Sequence, residues 1–237
     1  MNPPAPGLEA GRLGLEAAGL GLLGCLTRQP YDSRVPAGWR CAELLPEARS
    51  VLVVASGGRA LFAAFRASPE FGRSGDALDA YTRRVVEAAA AGLGTPSRAL
   101  FAFEQRAGGF ADFVALGRAA GLGAPSRLGL LLHPIYGPWM SIRAVVLTAL
   151  SLSPTPALAA FDPCRGCPAP CAGACHGTAL AGERFDTGAC ASTRHSDPGC
   201  RLVCDARRAC VVGPEHRYTP EAEAHHMTSP PTGLGTC

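Results

Sequence analysis

The segment Cys164-Arg-Gly-Cys-Pro-Ala-Pro-Cys-Ala-Gly-Ala-Cys175 decides how this chain folds, because it spaces four cysteines as C-x2-C-x3-C-x3-C. Four more cysteines lie between it and residue 210, namely Cys190, Cys200, Cys204 and Cys210. Eight thiolates make two sets of four, and four is the ligand number of a 4Fe-4S cluster. The small residues between them leave backbone amides free to hydrogen-bond inorganic sulfide, which tunes a cluster's potential. The pattern therefore favours two 4Fe-4S clusters.

The division of the eight ligands follows from a feature of two-cluster ferredoxins. There, the fourth cysteine of a run binds the other cluster. We therefore expect a first cysteine set, made of Cys164, Cys167, Cys171 and Cys210. The second cysteine set is then Cys175, Cys190, Cys200 and Cys204. Each set would tie together the two ends of the cysteine-rich segment.

Other uses of these thiols stay open. Short C-x2-C and C-x3-C pairs also occur in zinc knuckles, where His176 or His195 can replace a thiolate. Disulfides or unligated thiols are a third possibility. The remaining cysteines, Cys25, Cys41 and Cys237, have no partner at ligand spacing, so we expect them to be small buried or terminal thiols.

Composition excludes several functions. The 237 residues carry 22 basic and 19 acidic side chains, a net charge of +3, and every basic residue is arginine. Without lysine, Walker-type ATP binding and pyridoxal Schiff bases are excluded. No arginine run offers a track for a phosphate backbone, so we expect no nucleic-acid partner.

The N-terminal and central apolar stretches do not suit export or membrane insertion. Glu9 and Glu16 interrupt the leucine-rich N-terminus, which argues against a secretory signal. Pro154 and Pro156 break the apolar region 142–161, which falls short of the roughly 20 apolar residues of a membrane span. We predict a soluble, cytoplasmic protein with no membrane partner. In a reducing cytosol, crowded cysteines indicate metal more than disulfides.

The pattern predicts an α+β protein of two domains. Residues 1–155 would form a layered α/β domain of the cofactor-binding kind, 160–215 a ferredoxin-like module, and 216–237 a flexible tail. Predicted strands cover 51–55, 99–103, 128–132 and 141–150, and predicted helices cover 60–66 and 76–91.

A short repeat precedes two of these strands. Gly92-Leu-Gly-Thr-Pro-Ser-Arg98 recurs as Gly121-Leu-Gly-Ala-Pro-Ser-Arg127. A helix-terminating glycine followed by proline predicts two helix-turn-strand units stacked side by side. We interpret these glycines and arginines as turn punctuation. The alternative is an anion site, which makes Arg127 a candidate ligand-binding residue.

The loop 133–139 concentrates rings between two predicted strands. His133, Tyr136 and Trp139 each offer a flat apolar surface with one polar tip, and Gly137 leaves room beside them. We treat these four residues as candidate cofactor contacts. The alternative is a structural turn whose tryptophan fills the core.

These features together resemble a known family. Leu45–Val54, Ala120–Gly123, Leu131–Trp139 and the eight cysteines, in this order, look like the epoxyqueuosine reductases and reductive dehalogenases. The stretch His-Pro-x-x-Gly-x-Trp-x-x-Ile-Arg143 is also similar to the cobalamin-processing protein of methylmalonic aciduria type C.

The resemblance implies a nitroreductase-like layer holding a corrinoid or flavin, followed by a ferredoxin-like module with two 4Fe-4S clusters. Three features depart from it: the cysteine spacing is longer in two places, His176 stands where ferredoxins usually have proline, and Glu104 is the nearest carboxylate to the reductases' aspartate. The C-terminal repeats that go with tRNA binding are also missing, so epoxyqueuosine itself is not the expected substrate.

We therefore expect an iron-sulfur reductase, or a reductase component, acting with a redox partner protein or a small-molecule substrate. Two alternatives remain. One is a non-catalytic electron carrier or redox sensor with a degenerate first domain, and the other is a zinc-stabilised interaction protein.

Overall fold

The computed structural model describes residues 6–73 and 75–228, which fall into two compact units. Unit 1 combines the residues up to Leu122 with Ser141–Ala157, and unit 2 combines Gly123–Met140 with the residues from Leu158 onwards. The sequence placed the boundary between 155 and 160. The segment 123–140, expected in the first domain, instead belongs to the unit that carries the cysteine-rich segment.

Unit 1 is built on a four-stranded sheet of order β1-β2-β6-β3. The strands are β1 (Leu22–Thr27), β2 (Ser50–Gly57), β3 (Ser97–Phe101) and β6 (Met140–Thr148). β1 pairs antiparallel with β2, and β3 pairs antiparallel with β6. Val51, Val53, Val54 and Ala55 of β2 are fully buried, as expected for an apolar run in a central strand.

Helices surround this sheet in unit 1. They are α1 (Pro6–Ala17), α2 (Arg28–Asp32), α3 (Cys41–Leu44), α4 (Ala60–Arg66), α5 (Ala77–Ala91) and α6 (Phe113–Ala119). α1 packs on α5, and α4 packs on β2. The predicted helices 60–66 and 76–91 and the strands 51–55, 99–103 and 141–150 are confirmed to within a few residues. The mixture of helices with a small antiparallel sheet confirms the α+β class.

The repeat does not form two equivalent units. Gly92 has a helical φ of −67°, whereas its counterpart Gly121 has a φ of +70°. The first copy leads into β3 of the four-stranded sheet, and the second leads into β4 (Ala124–Pro125), which belongs to a separate two-stranded sheet. The prediction that the two helix-turn-strand units stack side by side is therefore wrong, because equivalent glycines of the repeat adopt different backbone conformations.

The strand predicted at 128–132 is shorter than expected. Only β5 (Leu131–Leu132) is extended, and it pairs antiparallel with β4. Ser126 closes a turn by donating from its backbone N–H and its hydroxyl to the Leu130 carbonyl, at 3.1 and 2.8 Å. Gly129 supplies the positive φ, +70°, that this turn needs.

Short helices make up the rest of unit 2. They are α7 (Pro170–Gly173), α8 (Thr187–Ser196), α9 (Pro198–Leu202), α10 (Asp205–Arg208), a 3-10 turn at Pro214–His216, and α11 (Pro220–Thr228). Asp186 and Asp197 cap α8 and α9 by accepting N–H hydrogen bonds at 2.9 and 2.8 Å. Part of the predicted flexible tail is therefore folded, and the rest of it, from residue 229, lies outside the described residues.

Two glycines hold the segment 123–140 against the chain that follows Cys210. Gly137 and Gly213 both have positive φ, +54° and +62°. A Cβ at Gly137 would lie 1.9 Å from the Val212 carbonyl oxygen, and one at Gly213 would lie 2.5 Å from the Ile135 carbonyl oxygen. Backbone therefore meets backbone here, which only glycine permits.

Over the described part of the chain, no helix has the length and apolar character that crossing a bilayer requires.

We expect Gly137→Ala to destabilise unit 2 strongly. A side chain at positive φ costs about 1–2 kcal/mol, and overpacking adds roughly 1–3 kcal/mol, since the overlap is with backbone. Gly94→Ala is the matched control, because Gly94 also has a positive φ, +66°, but has no atom within 4 Å of an added Cβ. Urea denaturation of both variants measures the loss in free energy of unfolding. Equal losses would contradict the close contact of Gly137 with Val212.

Candidate metal centre

One pocket of unit 2 collects the first cysteine set. Cys164, Cys167 and Cys171 line it together with Cys210, which lies 39 positions after Cys171. The other lining residues are mainly apolar, namely Ser126, Arg127, Leu128, Leu132, Pro163, Ala169, Pro170, Val211 and Val212. Four thiols from two distant segments thus face one apolar space.

The electrostatics of these thiols agree with their proximity. Burial, followed by the neighbouring thiols, raises the pKa of Cys171 and of Cys210. Cys164 and Cys167 contribute to both shifts. Four thiolates in so small a space would repel one another, so the deprotonated set calls for a cationic centre.

Neither a disulfide nor a single-ion site is present among these side chains. The ten cysteines within the described residues form no disulfide. Within the same part of the chain, no three His, Cys, Asp or Glu side chains converge on one metal ion. Ligands of a 4Fe-4S cluster surround several irons, one thiolate to each, and so need not converge on a point.

The segment 175–177, which begins with Cys175 of the second cysteine set, packs against α8. A Cβ at Gly177 would lie 2.0 Å from Thr193 Oγ1, so this segment packs closely on α8. Thr193 lies one helical turn after Cys190. Cys175 and Cys204 both pack against the buried cluster that includes Cys171 and Ala206.

His176 fastens this segment to two helix starts. Its Nδ1 lies 2.6 Å from a carboxylate oxygen of Asp197, and its Nε2 lies 2.8 Å from one of Asp205. Asp197 caps α9, which carries Cys200, and Asp205 directly follows Cys204. Hydrogen bonds to Asp205 and then to Asp197 raise the pKa of His176. A protonated ring can donate to both carboxylates at once.

This arrangement changes the role expected of the histidines. Both ring nitrogens of His176 are engaged with carboxylates, so the ring as placed cannot replace a thiolate as a zinc ligand. His195 lies in the last turn of α8, where its carbonyl accepts from Arg201 at 2.5 Å.

The five candidate cofactor contacts all lie in unit 2, but only one lines the pocket. Arg127 is exposed and lines the pocket beside the first cysteine set. The rings of His133 and Tyr136 pack at a tilt of 43°, with centroids 5.0 Å apart, and Tyr136 also packs on His216 at 4.7 Å. Gly137 contacts Val212, a lining residue. The loop therefore lies beside the first set rather than away from it.

His133 is held in its neutral form. Its Nδ1 accepts the backbone N–H groups of Ile135 and Tyr136, at 3.1 and 3.3 Å. Burial, followed by the charge of His216, lowers the pKa of His133. The ring therefore carries its proton on Nε2.

Trp139 fills the interior of unit 2, as the structural alternative for this loop predicted. It is fully buried, and the Arg207 guanidinium lies 4.7 Å from its ring centroid and from that of Tyr218. Arg207 also donates from Nε to the Pro138 carbonyl at 3.1 Å. Among the described atoms, the Trp139 indole N–H is buried without a partner.

Glu104 in unit 1 is not a free acid. It lies 2.7 Å from Arg83 and 3.0 Å from Arg106. Burial acts to raise its pKa, but hydrogen bonds from Arg83 and then Arg106 outweigh this, and the net shift is downward. The carboxylate is therefore stabilised in its ionised form and suits an anchor rather than a proton donor.

Asp79 is a carboxyl that the sequence analysis missed. It accepts from Arg143 at 2.5 Å, yet burial raises its pKa overall. Within the described chain, Arg143 Nε is one of four buried side-chain polar atoms without a partner, with Ser68 Oγ, Arg106 Nε and Trp139 Nε1. A helix pattern gave no signal for Asp79, because its partner on β6 is 64 residues away.

Cys25 and Cys41 are buried in unit 1, as expected for structural thiols. Burial raises the pKa of Cys25, and raises that of Cys41 to about 12. Thiols with such values are poor nucleophiles and poor ligands at neutral pH. The third predicted structural thiol, Cys237, lies outside the described residues.

Comparison with solved structures identifies the fold. An epoxyqueuosine reductase bound to a tRNA-Tyr stem loop matches 91% of this chain and 68% of its own, with a TM-score of 0.58 and 14% identity. The Bacillus subtilis epoxyqueuosine reductase matches 90% and 68%, with a TM-score of 0.59 and 15% identity. A reductive dehalogenase with a B12-dependent mechanism matches 93% of this chain but 35% of its own, with a TM-score of 0.54 and 17% identity.

No family model and no curated protein matches the chain. At these identities the likeness establishes a shared fold with epoxyqueuosine reductases and reductive dehalogenases. The predicted similarity to the cobalamin-processing protein and the nitroreductase-like and ferredoxin-like descriptions of the two domains stay predictions.

Glu104→Gln should lower the free energy of unfolding by about 1–2 kcal/mol at pH 7, because it removes the charge that two arginines bind. The pKa of Glu104 in the folded chain lies below its usual value of 4.5, so its ionisation stabilises the fold above pH 4.5. The difference in free energy of unfolding between the variant and wild type should therefore shrink as the pH falls below 4.5. Glu87→Gln is the control, since Glu87 is an exposed partner of Arg83 at 3.4 Å. Equal stability of both variants at pH 7 would contradict the anchor role.

Proposed function

We propose that this chain is an iron-sulfur redox protein, a reductase or reductase component with two 4Fe-4S clusters. The first cysteine set would hold one cluster, and the second cysteine set would hold the other. Clusters of this type supply one-electron transfer. The electrons would reach a corrinoid or flavin held by the first domain, and then a small-molecule substrate or a redox partner protein.

The observation that carries this proposal is the pocket lined by Cys164, Cys167, Cys171 and Cys210. The ligand sharing of two-cluster ferredoxins predicts this group of four, and they line one pocket although Cys210 is remote in sequence. Its lining is otherwise mainly Leu, Val, Pro and Ala, which keeps water from the thiolates and lowers the local dielectric. The residues fit a buried cluster.

The chain's own residues would shape this centre. Leu128, Leu132 and Val212 exclude water, and Arg127 places a positive charge at the pocket. A positive charge stabilises the extra electron of a reduced centre. Gly137, packed on Val212, keeps the loop 133–139 beside the same pocket.

A second cofactor is supported by the fold and by a buried donor of unit 1. Arg143 Nε has no partner among the described atoms and would donate a hydrogen bond to a polar group of a bound corrinoid or flavin. Arg143 ends the stretch that resembles corrinoid proteins. Asp79, with its raised pKa, is the carboxyl of unit 1 best suited to hold a proton near Arg143.

The alternative is a non-catalytic electron carrier. Glu104, the carboxylate nearest to the reductases' aspartate in sequence, is held by two arginines and offers no proton. This observation favours a first domain without the reductases' chemistry. Cofactor binding separates the two proposals.

Anaerobic reconstitution of the full chain with iron and sulfide should give about eight irons per chain and absorbance near 400 nm that dithionite bleaches. Cys210→Ser should retain about four irons, because it removes a ligand of the first set only. The control, Cys25→Ser, should keep about eight irons, since Cys25 is buried in unit 1. A colourless chain with about two zinc ions would overturn the proposal.

The reconstituted chain should bind one equivalent of cobalamin or of FMN, as measured by equilibrium dialysis with absorption detection. Arg143→Gln should weaken that binding about tenfold, as expected for one lost hydrogen bond. Arg118→Gln, at an exposed arginine of α6, is the control. Binding of neither cofactor by a chain with eight irons would favour the carrier.

A further inference from the structure

A buried carboxylate stands behind the second cysteine set. Glu223 lies on α11 and is 2% exposed, which is unusual for a glutamate. Its Oε1 accepts the backbone N–H of Cys204 at 3.2 Å. Its Oε2 accepts from Arg208 Nε at 2.9 Å. Helix α11, which the sequence predicted to be a flexible tail, thus places a carboxylate in hydrogen-bond contact with the backbone of one of the eight cysteines.

The docking of α11 is independent of this one side chain. Ala222 and Met227 are buried, and Arg194 of α8 donates to the Met227 carbonyl. The rings of Tyr218 and His226 lie 5.1 Å apart. Glu223 is therefore held in place by the packing of its helix, and its charge does not depend on a mobile side chain.

Arg208 compensates the negative charge of Glu223 only in part at Cys204. The Arg208 side chain is 37% exposed, so water screens its guanidinium more than it screens the carboxylate. One carboxylate oxygen touches the Cys204 amide, whereas the guanidinium bonds to the other oxygen. The Cys204 N–H is also used by Glu223 and is not available to donate to a sulfur atom.

The two cysteine sets have different charged neighbours. Arg127 lines the pocket of the first set, and none of the lining residues is acidic. Near the second set, Asp197 and Asp205 add two further carboxylates, which share the ring of His176 between them. Glu223 differs from these two, because it is buried and because it contacts the backbone of a cysteine of this set.

Resting on the proposed function, we propose that Glu223 lowers the reduction potential of the cluster held by the second cysteine set. A carboxylate beside a centre opposes an added electron, and loss of an amide donor to sulfur acts in the same direction. Glu223 is a positioning residue, because it acts through Cys204 and its own charge.

The test is the potential of each cluster in the reconstituted full chain, followed by EPR during a redox titration. A Cys164→Ser and Cys210→Ser background identifies the signal of the second set. A unit charge roughly 10 Å away at an effective dielectric constant of about 20 changes an equilibrium by about tenfold. In Glu223→Gln we therefore expect the reduction equilibrium of the second set to rise about tenfold, or about 59 mV for one electron.

Two further variants separate charge from position. Glu223→Asp keeps the charge while shortening the reach to Cys204, so its potential should stay within about threefold of wild type if charge dominates. Glu221→Gln makes the same chemical change on the same helix at an exposed site and should leave both potentials unchanged. Melting of the reconstituted chains checks that α11 still docks in each variant.

The outcomes distinguish the inference from the function on which it rests. Eight irons per chain with an unchanged second potential in Glu223→Gln would overturn the role of Glu223 and leave the proposed function standing. A shift of the second potential in Glu221→Gln as large as that in Glu223→Gln would overturn it as well. A chain that takes up no iron would overturn the proposed function itself, and iron analysis detects this before any titration.

Discussion

The backbone contact between Gly137 and Gly213 is the constraint on which unit 2 depends. Both residues have positive φ, and at neither position is there room for a Cβ. The contact brings residues 212–213 against the loop 133–139, and with them Cys210, only two positions earlier. This contact holds Cys210 at the pocket that Cys164 and Cys167 line. The first cysteine set is therefore brought together because residues 137 and 213 are both glycine.

Arginine carries most of the polar organisation of this lysine-free chain. Arg207 lies on two rings while it binds a carbonyl, Arg208 pairs with a buried carboxylate, and Arg83 and Arg106 share Glu104. The planar guanidinium suits these combined tasks, since it stacks on rings and still donates in its own plane. Few of these contacts join neighbours in sequence, so the arginines mainly fasten separate elements.

The sequence predicted what local patterns determine. The buried strand 51–55 and the helix at 76–91 depend on residues close to one another, although Asp76 does not cap this helix with its side chain. The order of the cysteines predicted the four that line one pocket, and the grouping of the other four stays a prediction. The repeat gave a wrong prediction, because Gly92 and Gly121 adopt different φ values once their surroundings differ. Residue 216 marked a change of composition but not the end of the fold, since α11 gains its stability from packing.

The long-range pairs had no signal at all in the sequence. Asp79 with Arg143 and Glu223 with Cys204 are separated by 64 and 19 residues, and nothing in either local pattern selects one partner among many. The residues that tune a site are therefore harder to find than those that ligate it. Ligands are restricted to a few side-chain types, whereas any buried charge can shift an equilibrium.

Most helices of unit 2 have only four or five residues, namely α7, α9 and α10, well below the length that is stable alone in water. Their stability must come from tertiary contacts, and the clusters proposed above would add to it. If those clusters bind, we expect a chain without metal to open locally and expose segments to proteases. Quality control in the cell could then remove unloaded chains by their flexibility, without any receptor that recognises the metal.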